Sequence, residues 1–358
     1  MISPSKPMSA ALSGSSQLTL ERTHPAADKR SRASESVPVF SVSDAMKVAM
    51  FIPNPQKPAV ALIAGPTASG KTALALRLAQ TQNCVIINAD SAQVYAGLPV
   101  LSAQPLPHEM ASVPHKLFGY LASDQICSAA RWAGDVKREI AAAHAVGALP
   151  VLVGGSGLYI RTLLDGIAPM PIINDAVRGA VRAMATADAW AALQFEDAQA
   201  AAALHPNDDH RIKRALEVVR SAGASVTQWR ETKTGGIERK FTVQTLLLLP
   251  DRAWLYERCD ARFLYMMDHG ALDEVRALMV RGISGDAPIL RSIGVSEISA
   301  MIEGRITRQE ALNLGQIATR QYAKRQYTWF RNQSPKHWPR WAEEINNENI
   351  EKIVTLLQ

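Results

Sequence analysis

One octapeptide restricts the fold more than any other feature. It reads Gly65-Pro66-Thr67-Ala68-Ser69-Gly70-Lys71-Thr72, set between an apolar run, Ala59–Ala64, and a helical pattern from Thr72 to about Gln80. This is G-x-x-x-x-G-K-[ST] in the strand–loop–helix context that the pattern requires. Its glycines let successive backbone N–H groups curl around phosphate oxygens, and the following helix start adds a partial positive charge. Lys71 supplies a point charge and Thr72 a hydroxyl for Mg²⁺. The expected phosphate ligands are therefore Gly65, Thr67, Ala68, Ser69, Gly70, Lys71 and Thr72, with Thr72 also the metal ligand.

The surrounding pattern predicts an α/β fold: a P-loop NTPase-like parallel sheet with helices on both faces. Cys84–Ala89 reads as a second strand ending at Asp90, Ser128–Ala145 as an amphipathic helix, and Pro150–Val153 as a buried strand running into Gly154-Gly155-Ser156-Gly157. Residues 172–235 are Ala-rich and helical without a convincing strand, which predicts a helical insertion domain. Val243–Leu249 resumes the sheet. Thr307-Arg308-Gln309-Glu310 is a capping box that starts a long helix to about Asn332. The chain thus parses into an extension (1–57), a first core part (58–171), the insertion (172–240), a core continuation with basic helices (241–340) and a C-terminal tail helix (341–358).

No apolar run among the 358 residues approaches a membrane span, so no membrane partner is expected. Cys84, Cys127 and Cys259 are far apart and form no C-x-x-C pair, which argues against disulfides and zinc and for the cytoplasm. Residues 1–57 are rich in Ser, Pro and Ala and read as a disordered extension, a transit peptide, or the result of a start at Met46 or Met50.

A P-loop by default implies a nucleotide-binding kinase or ATPase. Against it, the strand ending at Val153 carries no acidic residue for a Walker B site. Asp90 instead closes the second strand, where the carboxyl ends of a parallel sheet line the ligand crevice. A carboxylate there can take a proton from an attacking amine, or it can cap the next segment or join the shell of Mg²⁺.

Taken together, these segments resemble the tRNA dimethylallyltransferase (isopentenyltransferase) family. The resemblance runs from Val60 to about Trp338. It includes the P-loop, Asp90-Ser91-Ala92-Gln93-Val94-Tyr95, Leu152–Tyr159, His205-Pro206-Asn207-Asp208 with Arg211 and Arg214, Arg262-Phe263, Gly270, Glu274-Val275, and Thr319–Arg331. It implies transfer of a dimethylallyl group from its diphosphate to the exocyclic amine of the adenosine 3′ of the tRNA anticodon. By the same resemblance, Asp90, Ser156 and Arg262 are catalytic, Lys71, Thr72 and Arg262 hold diphosphate and Mg²⁺, and Ser91, Gln93 and Tyr95 face the substrate. The chain departs from the family's usual pattern at Ala96–Pro105, where charged residues are missing, and at Val295-Ser296.

On the last long helix Arg320, Lys324, Tyr327 and Arg331 share one face, with Arg325 adjacent and Lys336 and Arg340 beyond. Glu310 is the only acid between Arg305 and Arg340. Such a stripe suits RNA phosphates, and Arg211 and Arg214 of the insertion offer a second tRNA surface. The expected partners are the tRNA anticodon stem-loop and dimethylallyl diphosphate, acting on a monomer. A metabolite or nucleoside kinase, a non-catalytic RNA-binding module and an adenylate isopentenyltransferase are the alternatives.

Overall fold

The computed structural model describes residues 57–357 except Thr232, Ser284 and Asp286; all but the last residue of the 1–57 extension lies outside the described residues. The strands are β1 (Ala59–Ala64), β2 (Cys84–Asn88), β3 (His115–Lys116), β4 (Leu149–Gly154), β5 (Gly166–Ile167), β6 (Thr234–Gly235), β7 (Thr242–Leu248) and β8 (Arg340–Trp341). Six of them form one sheet in the order β3-β2-β4-β1-β7-β8, with every pairing parallel.

Near-continuous apolar strands are what a sheet buried on both faces demands. In β1, Val60, Leu62 and Ala64 enter one core while Ala61 and Ile63 enter the other, and all five are buried. The helices Ala129–Ala145 and Gly157–Asp165 and the long helix Arg308–Gln333 supply Trp132, Ile140, Ile160, Leu163 and Phe330 to the first core. The P-loop helix Lys71–Thr81 and the short helix Ile350–Val354 supply Leu74, Leu78, Ile353 and Val354 to the second.

Between Asp175 and Glu231 the chain is helical and has a core of its own, including Val181, Leu193, Ile212 and Leu216. Its neck is closed by a feature the sequence did not predict: β5 and β6 pair antiparallel, Gly166 opposite Gly235 and Ile167 opposite Thr234. The chain therefore leaves the core and re-enters it at adjacent points.

The C-terminal part differs from the sequence reading in two places. A strand, β8, begins at Arg340, and the tail is helical over only Ile350–Val354 and a 3₁₀ turn at Thr355–Leu357. Arg340 is buried rather than part of a basic surface. Its guanidinium donates to the carbonyls of Ser334, Pro335, Lys336 and Trp338, closing the turn that leads into β8. Those carbonyls compensate a burial that pulls its pKa below the usual arginine value.

Candidate active site

The carboxyl ends of β1, β2 and β4 meet at one cleft. After β1 the backbone turns through a left-handed Ala68 (φ 65) and Gly70 (φ 95), which produces the concave run of amides. Gly65 must be glycine, because a Cβ there would lie 2.5 Å from the carbonyl oxygen of Leu248. The Ser69 hydroxyl is buried without a partner among the described residues. A phosphate oxygen would satisfy that group, since buried polar atoms are rarely left unpaired.

Three cations converge on this loop. Lys71 Nζ donates to the Pro66 carbonyl at 2.6 Å. Burial lowers its pKa to about 8; Asp90 opposes the shift and Arg262 reinforces it. The helix Arg252–Asp268 contributes Arg262, which donates to Thr67 Oγ1, and Arg258, whose Nε donates to the Ala68 carbonyl at 3.0 Å. Burial lowers the Arg262 pKa, while Cys259 and Asp90 pull it the other way.

Asp90 sits just past the end of β2 in a turn pinned from three directions. Its N–H donates to Asn88 Oδ1 at 2.7 Å, and its Oδ1 accepts from the Ala92 N–H at 2.9 Å. Ser156 fixes the next residue by accepting from the Ser91 N–H at 2.8 Å and donating to Ser91 Oγ at 3.0 Å. Ser156 therefore positions the Asp90 turn.

Two cavities meet here. The larger, about 930 Å³, is lined by the P-loop, Arg258 and Arg262. The smaller, about 400 Å³, is lined by rings and apolar groups including Tyr95, Tyr159, Phe263, Met266 and Tyr322. Thr67, Asp90, Ser102, Ala103 and Arg262 line both. A carboxylate and an arginine thus stand at the junction of a cationic chamber and an aromatic one.

The other expected contacts divide. Gln93 lines the larger cavity, with Nε2 donating to the carbonyls of Ser102 and Ala103, and Ser91 and Tyr95 line the smaller. Lys324, Arg325 and Arg331 are exposed, and Arg325 also lines the smaller cavity beside the Tyr322 ring, 5.7 Å from its centroid. Arg320 is instead half-buried and paired with Asp260 at 2.6 Å, and Tyr327 packs against the core. The expected stripe is thus broken by two residues that brace the helix. Arg211 and Arg214 lie on the insertion, line neither cavity, and pair with Asp208 and Glu217 on their own helix at 3.5 and 3.1 Å.

Three site residues are assigned no role from the sequence, although Tyr322 and Gln326 lie within the Thr319–Arg331 segment that carries the resemblance. Arg258 is one. Gln326 is another: its Oε1 accepts the Thr67 N–H at 2.8 Å and its Nε2 donates to the Gly155 carbonyl at 3.0 Å. Tyr322, one turn earlier, neighbours Ser156 and Gln326; the charge of Asp90, then burial, raises its pKa. The capping-box helix therefore grips the P-loop as well as presenting Lys324 and Arg325 outward.

No group of three His, Cys, Asp or Glu able to hold a metal occurs among the described residues. Thr72 and Asp90 both line the larger cavity and offer only oxygen. That set fits Mg²⁺, which uses few protein ligands and completes its shell with phosphate oxygens and water.

Residues 93–333 match the model of the IPP transferase family. The chain belongs to that family. A tRNA dimethylallyltransferase of Sphingopyxis alaskensis is 52% identical over 300 residues, spanning 84% of this chain and 98% of the relative. The crystal structure of a full-length tRNA isopentenylpyrophosphate transferase from Bacillus halodurans superposes with TM-score 0.60 at 30% identity, covering 84% of this chain and 97% of that one. A eukaryotic dimethylallyltransferase acting on tRNA gives TM-score 0.67 at 25% identity, covering 76% of this chain and 70% of that one. The IPP transferase match begins at Gln93, so the P-loop and Asp90 lie just ahead of it.

Proposed function

We propose that this IPP transferase moves a dimethylallyl group from dimethylallyl diphosphate to the N6 amine of the adenosine at position 37 of tRNA, 3′ of the anticodon. The observation that carries the reading is the shared wall of the two cavities, where Asp90, Thr67 and Arg262 face both. The diphosphate belongs in the cationic chamber, and the aromatic one takes both the adenine and the five-carbon chain, with the allylic carbon at the wall the two chambers share.

The allylic C–O bond breaks and its electron pair leaves on the diphosphate. The P-loop amides, Lys71, Arg258 and Arg262 disperse that charge where it develops. The N6 lone pair forms the new C–N bond, and Asp90 accepts the proton released from nitrogen. Thr72 would hold Mg²⁺, which would add neutralising charge at the leaving group. The adenine must leave its stack to reach Asp90, and the rings of Tyr95, Tyr159 and Tyr322 offer it faces in exchange. Lys324, Arg325 and Arg331, at the mouth and beyond, suit the anticodon stem-loop. No helix among the described residues is long and apolar enough to cross a membrane. We place the reaction in the cytoplasm, with the enzyme acting as a monomer.

The test is incubation with labelled dimethylallyl diphosphate and an anticodon stem-loop carrying adenosine or inosine at position 37. Label should enter only the adenosine stem-loop, and Asp90→Asn should lower transfer by at least 100-fold while stem-loop affinity stays within about threefold. Equal labelling of inosine, or ATP-dependent phosphorylation in its place, would overturn the reading.

A further inference from the structure

The loop from Ala96 to His108 contains no Asp, Glu, Lys or Arg, yet it forms a wall of both cavities through Ser102 and Ala103 and of the smaller one through Leu101. Internal turns shape it in part, Ser102 N–H donating to the Leu98 carbonyl at 3.0 Å and Gln104 N–H to the Pro99 carbonyl at 2.9 Å, and contacts from outside anchor it. Glu274, on the helix Ala271–Val280, accepts the Val100 N–H on Oε1 at 2.6 Å and the Leu101 N–H on Oε2 at 2.9 Å. Gln93 holds the opposite edge, donating to the carbonyls of Ser102 at 3.0 Å and Ala103 at 2.6 Å. The loop is thus strapped by its amides on one side and its carbonyls on the other. Ala103 is held at φ 56, a left-handed conformation that alanine adopts at a cost.

The carboxylate of Glu274 is half-buried and enters no ion pair among the described residues. Two backbone donors are its compensation, and charge-assisted bonds of this kind are the stronger ones. What they hold in place is Leu101. A Cβ on Gly294 would touch both Leu101 and Phe263, so these two side chains close on the same point. With Met266 they contribute an apolar stretch to the lining of the smaller cavity, and Arg262 is the residue immediately before Phe263.

We infer that Glu274 is a positioning residue that, by holding Leu101 against Phe263, limits the depth of the chamber along this apolar wall, so that it takes a five-carbon allylic chain and refuses a ten-carbon one. This rests on the prenyl-transfer reading above. A carboxylate that merely stabilised the fold would alter all donors alike; one that sets depth alters their ratio.

The experiment compares dimethylallyl and geranyl diphosphate as donors to one adenosine stem-loop, with wild type, Glu274→Ala, Glu274→Gln and Leu101→Ala. Both Glu274 variants should raise kcat/KM for the geranyl donor relative to the dimethylallyl donor by at least tenfold, with KM for the stem-loop unchanged within threefold. Leu101→Ala, which deepens the chamber with the strap intact, should do the same. An unchanged ratio in it overturns the proposal even if the Glu274 variants do not fold, because Glu274 would then be holding a wall that limits nothing. An unchanged ratio in the folded variants overturns the role of Glu274 while the prenyl-transfer reading stands. A wild-type enzyme that transfers neither donor overturns both.

Discussion

Gln326 is the most informative single replacement in this structure. Its carboxamide joins the Thr67 N–H to the Gly155 carbonyl, and the side chain is 5% exposed. Alanine would leave the buried Gly155 carbonyl and the part-buried Thr67 N–H unpaired, at up to about 1–3 kcal/mol each. A loss of up to roughly 2–6 kcal/mol corresponds, at about 2–4 °C per kcal/mol for a large domain, to a fall of about 4–24 °C in Tm. Glutamate separates the two halves of the clamp. It still accepts from Thr67 but turns an oxygen toward the Gly155 carbonyl, so it should lose comparable stability while holding the P-loop better. Thr67 also receives the Arg262 guanidinium, so a freed Thr67 displaces a group at the cavity junction. Transfer by Gln326→Ala should fall more than tenfold, equivalent to about 1.4 kcal/mol of barrier. Thermal unfolding followed by calorimetry, alongside single-turnover transfer, measures both. An alanine variant with Tm within about 1 °C and rate within about twofold of wild type, far inside the changes expected here, would refute the clamp.

Two further outcomes follow from charge. Lys71 titrates near 8 because it is buried, and a bound diphosphate favours its protonated form. Affinity for inorganic diphosphate should therefore decline as pH rises through 8, and calorimetric titration should find this slope absent in Lys71→Met. Exposed Lys324, Arg325 and Arg331 are expected to neutralise RNA phosphates. Replacing all three with alanine should reduce the slope of log affinity against log salt by about 2–3, as counterion release requires, measured by fluorescence anisotropy of a stem-loop.

The central architecture was legible where one residue type dictated one environment. The apolar runs that became β1, β2 and β4, and the Leu246–Leu248 end of β7, are buried on both faces, and the bounds of these four strands shift by no more than a residue. Thr307 and Glu310 form the expected capping box, since that signal is contained within four residues. The two-residue strands β3 and β8 were illegible because their pairing comes wholly from the neighbouring strands. Arg340 looked like a surface cation because the turn that buries it exists only after the long helix has ended. Within the site, Asp90 and Arg262 could be singled out by charge and motif. Gln326 could not, being a neutral residue whose partner Thr67 lies 259 positions away. Glu274 was visible only as a helix residue until the loop it straps was in place.

The order of strands carries a consequence for how the enzyme is made. β1 precedes the P-loop, yet its neighbours are β4 on one side and β7 on the other, and β7 in turn pairs with β8 at Leu247–Arg340. The Thr67 clamp comes later still than β7, from residue 326. On a ribosome the glycine-rich turn emerges early but waits for nearly the whole polypeptide before its walls exist, paying the loop-closure entropy of distant pairings first. The insertion, with a private core and adjacent ends, can collapse during that interval. A nascent chain halted shortly before residue 326 would hold a folded helical module but no competent diphosphate pocket.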